Sequence, residues 1–286
     1  MASTTQNISV VVDGNGSVFA GAVSEKIRDY SNMVDIVDFT NNSPSTHHTR
    51  MMGGNDVVTL SDINLGGFSN KVNGNLGGDT FQSKLGSTTR DFILGGSEND
   101  KIDLLNSVSG GDWQNGNNGE DTIYGAQSVD RMSILRGGAD DDVIGIKAGS
   151  KHIIVGDLGQ DDIHITGATG RVVCRTDNGA AAQNIGESDR IFGFDADDKV
   201  FVPGVNSIDD LWASQIGGDT YLKADAFTNG TTGTRFIAKF ENRTWADVNG
   251  YINSGQVVIG DTADNAYAAL TPENFLNNPD LGGMFA

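Results

Sequence analysis

Cysteine and proline are nearly absent from this chain. Cys174 is its single cysteine in 286 residues, so no intramolecular disulfide can form. It lies in the apolar stretch RVVC and reads as a small buried residue of a strand. Four prolines stand against 39 glycines. Such a chain turns often and tightly, because glycine reaches positive φ without steric penalty. The apolar content is only 37%, which speaks against a helical bundle and for short strands joined by turns. No run of 18 apolar residues exists, so no membrane span is expected. The opening MASTTQNISVVV lacks a basic region followed by a long apolar run, and a cleaved N-terminal export signal is not expected.

Positive charge is scarce too. Lys and Arg number 19 against 38 acids, a net charge of −19. Phosphate binding needs clustered cations, so nucleic acid and anionic membrane are not expected partners. The sequence has no HExxH, no GxSxG and no Walker loop, and no enzymatic activity is expected. His47 and His48 fall in a polar linker and read as solvated; His152 and His164 fall on strands and are expected to face solvent. Asp141 and Asp142 could mimic a glycosidase pair, but neighbouring strand residues point to opposite faces.

What the chain does have is aspartate. Six of the 38 acids are glutamate and 32 are aspartate. The short aspartate side chain suits turns and hard cations. Its placement is periodic. Segments 51–59, 74–82, 95–103, 116–124, 137–145, 156–164 and, degenerately, 184–192 align without gaps. Their sixth position is Asp56, Asp79, Asp100, Asp121, Asp142, Asp161 and Asp189; their eighth is Val58, Phe81, Ile102, Ile123, Ile144, Ile163 and Ile191. The aspartates are spaced by 23, 21, 21, 21, 19 and 28 residues. A second apolar stretch follows each unit, as in Phe92-Ile93-Leu94 and Ile153-Ile154-Val155. One unit therefore reads as turn, strand, turn, strand. Neither strand can bury its apolar face alone, so coils must stack and share a core. The expected fold is all-β, a parallel β-roll or solenoid with coils of about 21 residues.

The pattern G-G-x-G-x-D-x-U-x resembles the RTX nonapeptide, a calcium-binding β-helix repeat. The match covers roughly residues 51–202. The resemblance implies Ca2+ held by the sixth-position aspartates and by backbone carbonyls of glycines such as Gly77, Gly119, Gly138 and Gly159. Calcium takes six to eight oxygens at about 2.3–2.6 Å, so two stacked turns would share an ion. The opposite turns, KLGST, SVSGG, AQSVD and KAGSK, carry no regular aspartate, and ions are expected along one edge only. Segment 188–202, SDRIFGFDADDKVFV, is similar to the closing element of type I secretion substrates, which implies uncleaved C-terminal export.

The flanks read differently. Residues 1–50 are expected to form an N-terminal cap and linker, with a strand at 7–12 and a loosely helical stretch at 22–37 that Ser24 would cap. Residues 51–202 form the roll, 203–259 a β-rich C-terminal cap with a short helix at 244–252, and 260–286 a tail. That tail is too sparse in apolar anchors to fold alone and is expected to order only against a partner or its own domain. These features imply a non-enzymatic calcium-binding structural protein of a cell surface or extracellular matrix, such as an S-layer component, filament subunit or adhesin. Its partners would be itself or other surface and assembly proteins. A virion structural protein is the alternative, and a calcium-dependent secreted enzyme the third reading.

Overall fold

The computed structural model describes residues 4–8, 25–39, 47–64, 67–174, 185–227, 232–277 and 284–285. Its body is a parallel β-solenoid of two sheets, each with eleven strands among the described residues. Every coil contributes a long strand to one sheet and a short strand to the other. The long-strand stack includes Phe68–Leu76, Arg90–Ser97, Trp113–Asn118, Ile134–Ala139, Lys151–Leu158 and Thr169–Val173. The short-strand stack includes Val57–Thr59, Thr80–Gln82, Lys101–Asp103, Thr122–Tyr124, Val143–Gly145 and Asp162–His164. Pairing between successive coils is parallel and in register: Ile102, Ile123, Ile144 and Ile163 face one another across neighbouring strands.

The repeat pattern dictates this core. Eighth-position residues Val58, Phe81, Ile102, Ile123, Ile144, Ile163 and Ile191 all point inward and are fully buried. They meet Val72, Ile93, Leu135, Ile154, Val172 and Val200 from the long-strand sheet in one continuous cluster. Cys174 lies in it, buried as expected.

The region 22–37 is extended in its described part, not helical. Glu25–Asp29 pairs in parallel with His47–Arg50, and Ile36–Asp38 with Val57–Thr59. Partner strands satisfy that backbone, which overrides a weak helical period. Ser24 lies outside the described residues, as does most of 7–12; Thr4–Ile8 is a strand antiparallel to Glu25–Asp29. At the other end, Leu211–Ile216, Asp219–Ala226 and Thr232–Phe240 form an antiparallel meander that joins the short-strand sheet through Asp189–Phe192. Helix α1 (Trp245–Ser254) begins with a capping box between Thr244 and Asp247 and ends at Gly255 in the left-handed region.

The tail docks on its own roll. Helices α2 (Gly260–Ala269) and α3 (Pro272–Asn277) lie over the outer face of the long-strand sheet. Ala263, Ala266, Leu270, Phe275 and Phe285 are buried there against Phe92, Trp113, Ile134, Ile153 and Phe201. Arg136 donates to the Leu270 carbonyl and Arg171 to that of Phe285. The unbroken apolar runs FIL, IIV and VFV reflect this, because a strand covered on both faces need not alternate. Among the described residues no helix is long and apolar enough to cross a membrane.

Candidate metal centre

Where a coil turns from the long-strand sheet into the short-strand sheet, the backbone N–H before the short strand has no neighbouring backbone carbonyl. The sixth-position aspartate of the next coil replaces that carbonyl. Asp35 N–H donates to Asp56 Oδ1 at 2.6 Å, and Asp56, Asp79, Asp100 and Asp121 N–H donate to Asp79, Asp100, Asp121 and Asp142 Oδ1 at 2.7 Å. Asp142 N–H reaches Asp161 Oδ1 at 2.9 Å, and Asp161 N–H reaches Asp189 Oδ1 at 3.2 Å. All seven predicted aspartates therefore stand in one ladder along one edge.

This accounts for half of each carboxylate. Oδ2 of Asp56, Asp79, Asp100, Asp121, Asp142 and Asp161 is buried without a hydrogen-bond partner. In four coils it faces another acceptor. A Cβ built on Gly74 would collide both with Asp79 Oδ2 and with the Gly95 carbonyl oxygen. The same holds at Gly95, Gly116 and Gly137 for Asp100, Asp121 and Asp142, with the carbonyls of Gly116, Gly137 and Gly156. An unpartnered carboxylate oxygen and a carbonyl oxygen thus border one small space, which glycine keeps open. Acceptors gathered in this way favour a proton or a cation within reach.

Burial and mutual repulsion raise the affinity of these groups for protons. Asp100 and Asp142 are pushed up to about 9, first by burial and then by neighbouring rungs. Asp79 and Asp121 rise to about 7 and Asp56 to about 6, again chiefly through burial. Asp161 and Asp189 shift upward together for the same reason.

The turn itself needs two left-handed residues per coil. In one coil type a side chain comes first and glycine second: Asn75 and Gly77 (φ 71° and 110°), Asn117 and Gly119, Asp157 and Gly159. In the other the order is reversed: Gly96 and Glu98 (φ 132° and 77°), Gly138 and Asp140. The two types alternate from Asn75 onward. Gly96, Gly119, Gly138 and Gly159 each lie against the carbonyl of a side-chain-bearing residue in the preceding coil, where a Cβ would clash. Thus Gly77, Gly119, Gly138 and Gly159 set the turn, while Gly74, Gly95, Gly116, Gly137 and Gly156 adjoin the carboxylates. The latter set was not singled out from the sequence, although it always stands five residues before the aspartate.

The ends of the ladder differ from its middle. Asp35 lies 21 residues before Asp56 and is a further rung with no glycine in its turn. Its Oδ2 accepts from Ser31 N–H and Oγ (2.9 and 2.7 Å). The turn before Asp189 is a 3-10 turn, Ile185–Glu187.

A second buried ladder, also not anticipated, runs along the opposite edge. Asn70 Nδ2 donates to Asp91 Oδ1 (2.6 Å), Asp91 N–H to Asp112 Oδ1 (2.9 Å), and Asp112 N–H to Ser133 Oγ (3.1 Å). Ser133 Oγ donates back to Asp112 Oδ2 (2.9 Å), and Thr89 Oγ1 to Asp91 Oδ2 (3.2 Å). Ser133 N–H donates to His152 Nδ1 (3.0 Å), and His152 Nε2 lies 2.7 Å from the Ala126 carbonyl. Those contacts fit a neutral ring protonated at Nε2, and burial lowers His152 to about 4. Chemically unlike side chains occupy equivalent positions here, so no repeated letter marks them.

The histidine expectations change accordingly. His152 is fully buried, because it is a rung of this ladder. His48 is 4% exposed within a strand and lowered to about 3, by burial and then by the charges of Lys71 and Arg50. His164 is exposed, as expected, and stacks on Phe192; the side chain of His47 lies outside the described residues. Asp141 is exposed and Asp142 buried, so they do not form a carboxylate pair. No group of three or more His, Cys, Asp or Glu side chains gathers as a metal cluster among the described residues. An ion at the first edge would therefore rely heavily on carbonyl oxygens. No family model matches the chain, and no curated protein matches it.

Proposed function

We propose that this chain is a calcium-binding structural protein of the RTX type, working at a cell surface or in an extracellular matrix. One observation carries the reading: six successive aspartates bury an oxygen without a partner, four of them against a carbonyl oxygen in a space held open by glycine. A hard divalent cation fits that donor set, which is all oxygen and partly anionic. Asp79, Asp100, Asp121 and Asp142, with the carbonyls of Gly95, Gly116, Gly137 and Gly156, would hold the ions. Bound calcium would supply positive charge between carboxylates that otherwise repel, and so convert a strained edge into a cross-linked one.

The architecture supports a structural role. Both edges of the roll are built from repeated backbone-to-side-chain hydrogen bonds, and most of its buried aspartates serve those ladders. Circular dichroism and thermal melting in millimolar calcium and in excess chelator test the reading. Calcium should raise strand content and the melting midpoint reversibly; identical curves would remove the ion ladder, and with it the proposal.

A further inference from the structure

In a stack of coils each coil touches only its neighbours, so the ends can open while the middle stays closed. The C-terminal segment of this chain makes contacts of a different kind. It leaves the roll from Val257–Val258, which pairs with Lys199–Phe201, and Gly260 turns it with a left-handed φ of 64°. Asp264 Oδ1 accepts Gly204 N–H at 2.6 Å. Further along, the Leu270 carbonyl accepts from Arg136 at 3.1 Å. Phe275 then lies with its ring centre 5.7 Å from that of Phe68 and 5.5 Å from that of Trp113. Phe285 is back at Phe201, 4.9 Å between ring centres, and its carbonyl accepts from Arg171 at 2.7 Å.

These contacts fall on coils far apart in the stack. Lys199–Phe201 is the sixth strand on from Phe68–Leu76 in the long-strand sheet, about 29 Å away at the usual strand spacing. The sixteen helical residues of α2 and α3 rise about 24 Å along their axes, a comparable length. Helix α2 itself buries only Ala263 and Ala266. The hold on the far coils therefore falls to Leu270 and Phe275, both fully buried.

We propose that this segment is a strap, latched by Phe275, that makes the coils from Phe68–Leu76 to Lys199–Phe201 open and close as one unit. While Phe275 is seated, the strand Phe68–Leu76 cannot leave the stack without disturbing the cover of Trp113, which lies two strands further on. With Phe275 out, the stack reverts to contacts between neighbouring coils. Glu25–Asp29 and His47–Arg50 lie past Phe68–Leu76 in the sheet and beyond the latch. The strap uses none of the ladder oxygens, so the inference stands apart from the calcium reading.

Native-state hydrogen exchange of the whole chain in calcium, at rising denaturant, tests it. In the parent protein, amides of Phe68–Leu76 and Thr169–Val173 should exchange through one opening with one denaturant dependence. Those of Glu25–Asp29 and His47–Arg50 should exchange through a smaller one. Phe275→Ala should let Phe68–Leu76 open alone. Exchange there should rise by about tenfold or more with a weaker denaturant dependence, while Thr169–Val173 keeps its own. Val72→Ala weakens the same strand from its inner face, where Val72 joins the roll's interior cluster, and leaves the strap untouched. It should speed exchange in both segments together, with one shared dependence. A separate opening of Phe68–Leu76 in the parent overturns the proposal. So does a shared dependence that survives Phe275→Ala, or a separate opening of Phe68–Leu76 in Val72→Ala, which would make the uncoupling a matter of local packing.

Discussion

Asp121 and Asp112 belong to neighbouring turns on opposite edges of the roll, and each accepts one backbone N–H from the preceding coil. Their second oxygens differ. Asp112 Oδ2 accepts the Ser133 hydroxyl. Asp121 Oδ2 has no donor, and the carbonyl of Gly137 faces the same space. One edge is closed by the chain's own hydrogen bonds, and at the other each carboxylate keeps an oxygen without a donor. Identical side chains in equivalent roles can thus be fully satisfied on one side and half satisfied on the other. The distinguishing quantity is the number of donors aimed at them, not their burial, since both are buried.

The widest separation between the edges should come from removing calcium. One site loaded a hundredfold above its Kd contributes about 2.7 kcal/mol, and in a chain of this size each kcal/mol moves the midpoint by about 2–4 °C. Several sites should therefore lower the midpoint by about 10 °C or more in chelator. Hydrogen exchange should then show the loss at amides of Asp79, Asp100 and Asp121, with those of Asp91 and Asp112 protected longer. Equal loss at both edges would break the comparison.

Acidity should act next. The folded pKa values of the ladder aspartates lie above the unfolded value of 3.8, so the folded state binds more protons between pH 4 and about 9. Stability of the calcium-free chain is then present at low pH and lost as pH rises through about 7 and then about 9. In chelator the midpoint should be higher at pH 6.5 than at pH 8.5, a comparison above most of the protonation of His48 and His152. In calcium the order should invert, because protons compete with the ion. A calcium-free midpoint that rises with pH would contradict the unpartnered oxygens.

Single substitutions sharpen the contrast. Asp121→Asn removes the charge but places an amide donor beside the Gly137 carbonyl. It should match or exceed the parent stability in chelator and fall below it in calcium, by about 2 kcal/mol at saturating ion. Asp112→Asn at the closed edge should cost about 1–3 kcal/mol, equally with and without calcium. Ser133→Ala should be the smallest of these, about 1 kcal/mol, and likewise independent of calcium. Denaturant titration in both buffers measures all three.

The sequence revealed the open edge far better than the closed one. At the open edge every rung is the same carboxylate accepting the same backbone N–H, so Asp56 to Asp161 recur with their apolar partners Val58 to Ile163 and announce the coil. At the closed edge any side chain with an acceptor of the right reach will serve, and Asn70, Asp91, Ser133 and His152 share no letter. Asp35 escaped notice because its turn is closed by Ser31 and needs no glycine. The tail's destination was written in Phe92, Leu94, Ile153, Val155 and Phe201. Their continuous apolar runs require cover on both faces, and the tail's Phe275 and Phe285 supply part of it.

The alternation of left-handed turn residues carries a consequence for how such a chain can change length. Asn75 and Gly77 are followed by Gly96 and Glu98, then by Asn117 and Gly119, so the pattern returns only after two coils. Inserting a copy of one coil beside its own kind would align glycine with glycine at one turn position and side chain with side chain at the other. Duplication in pairs keeps every turn seated on its proper neighbour. The geometric repeat of the alternating stretch is therefore a doublet, and it begins beside the one place among the described residues where turns of a single kind meet, Met52 and Gly54 against Asn75 and Gly77.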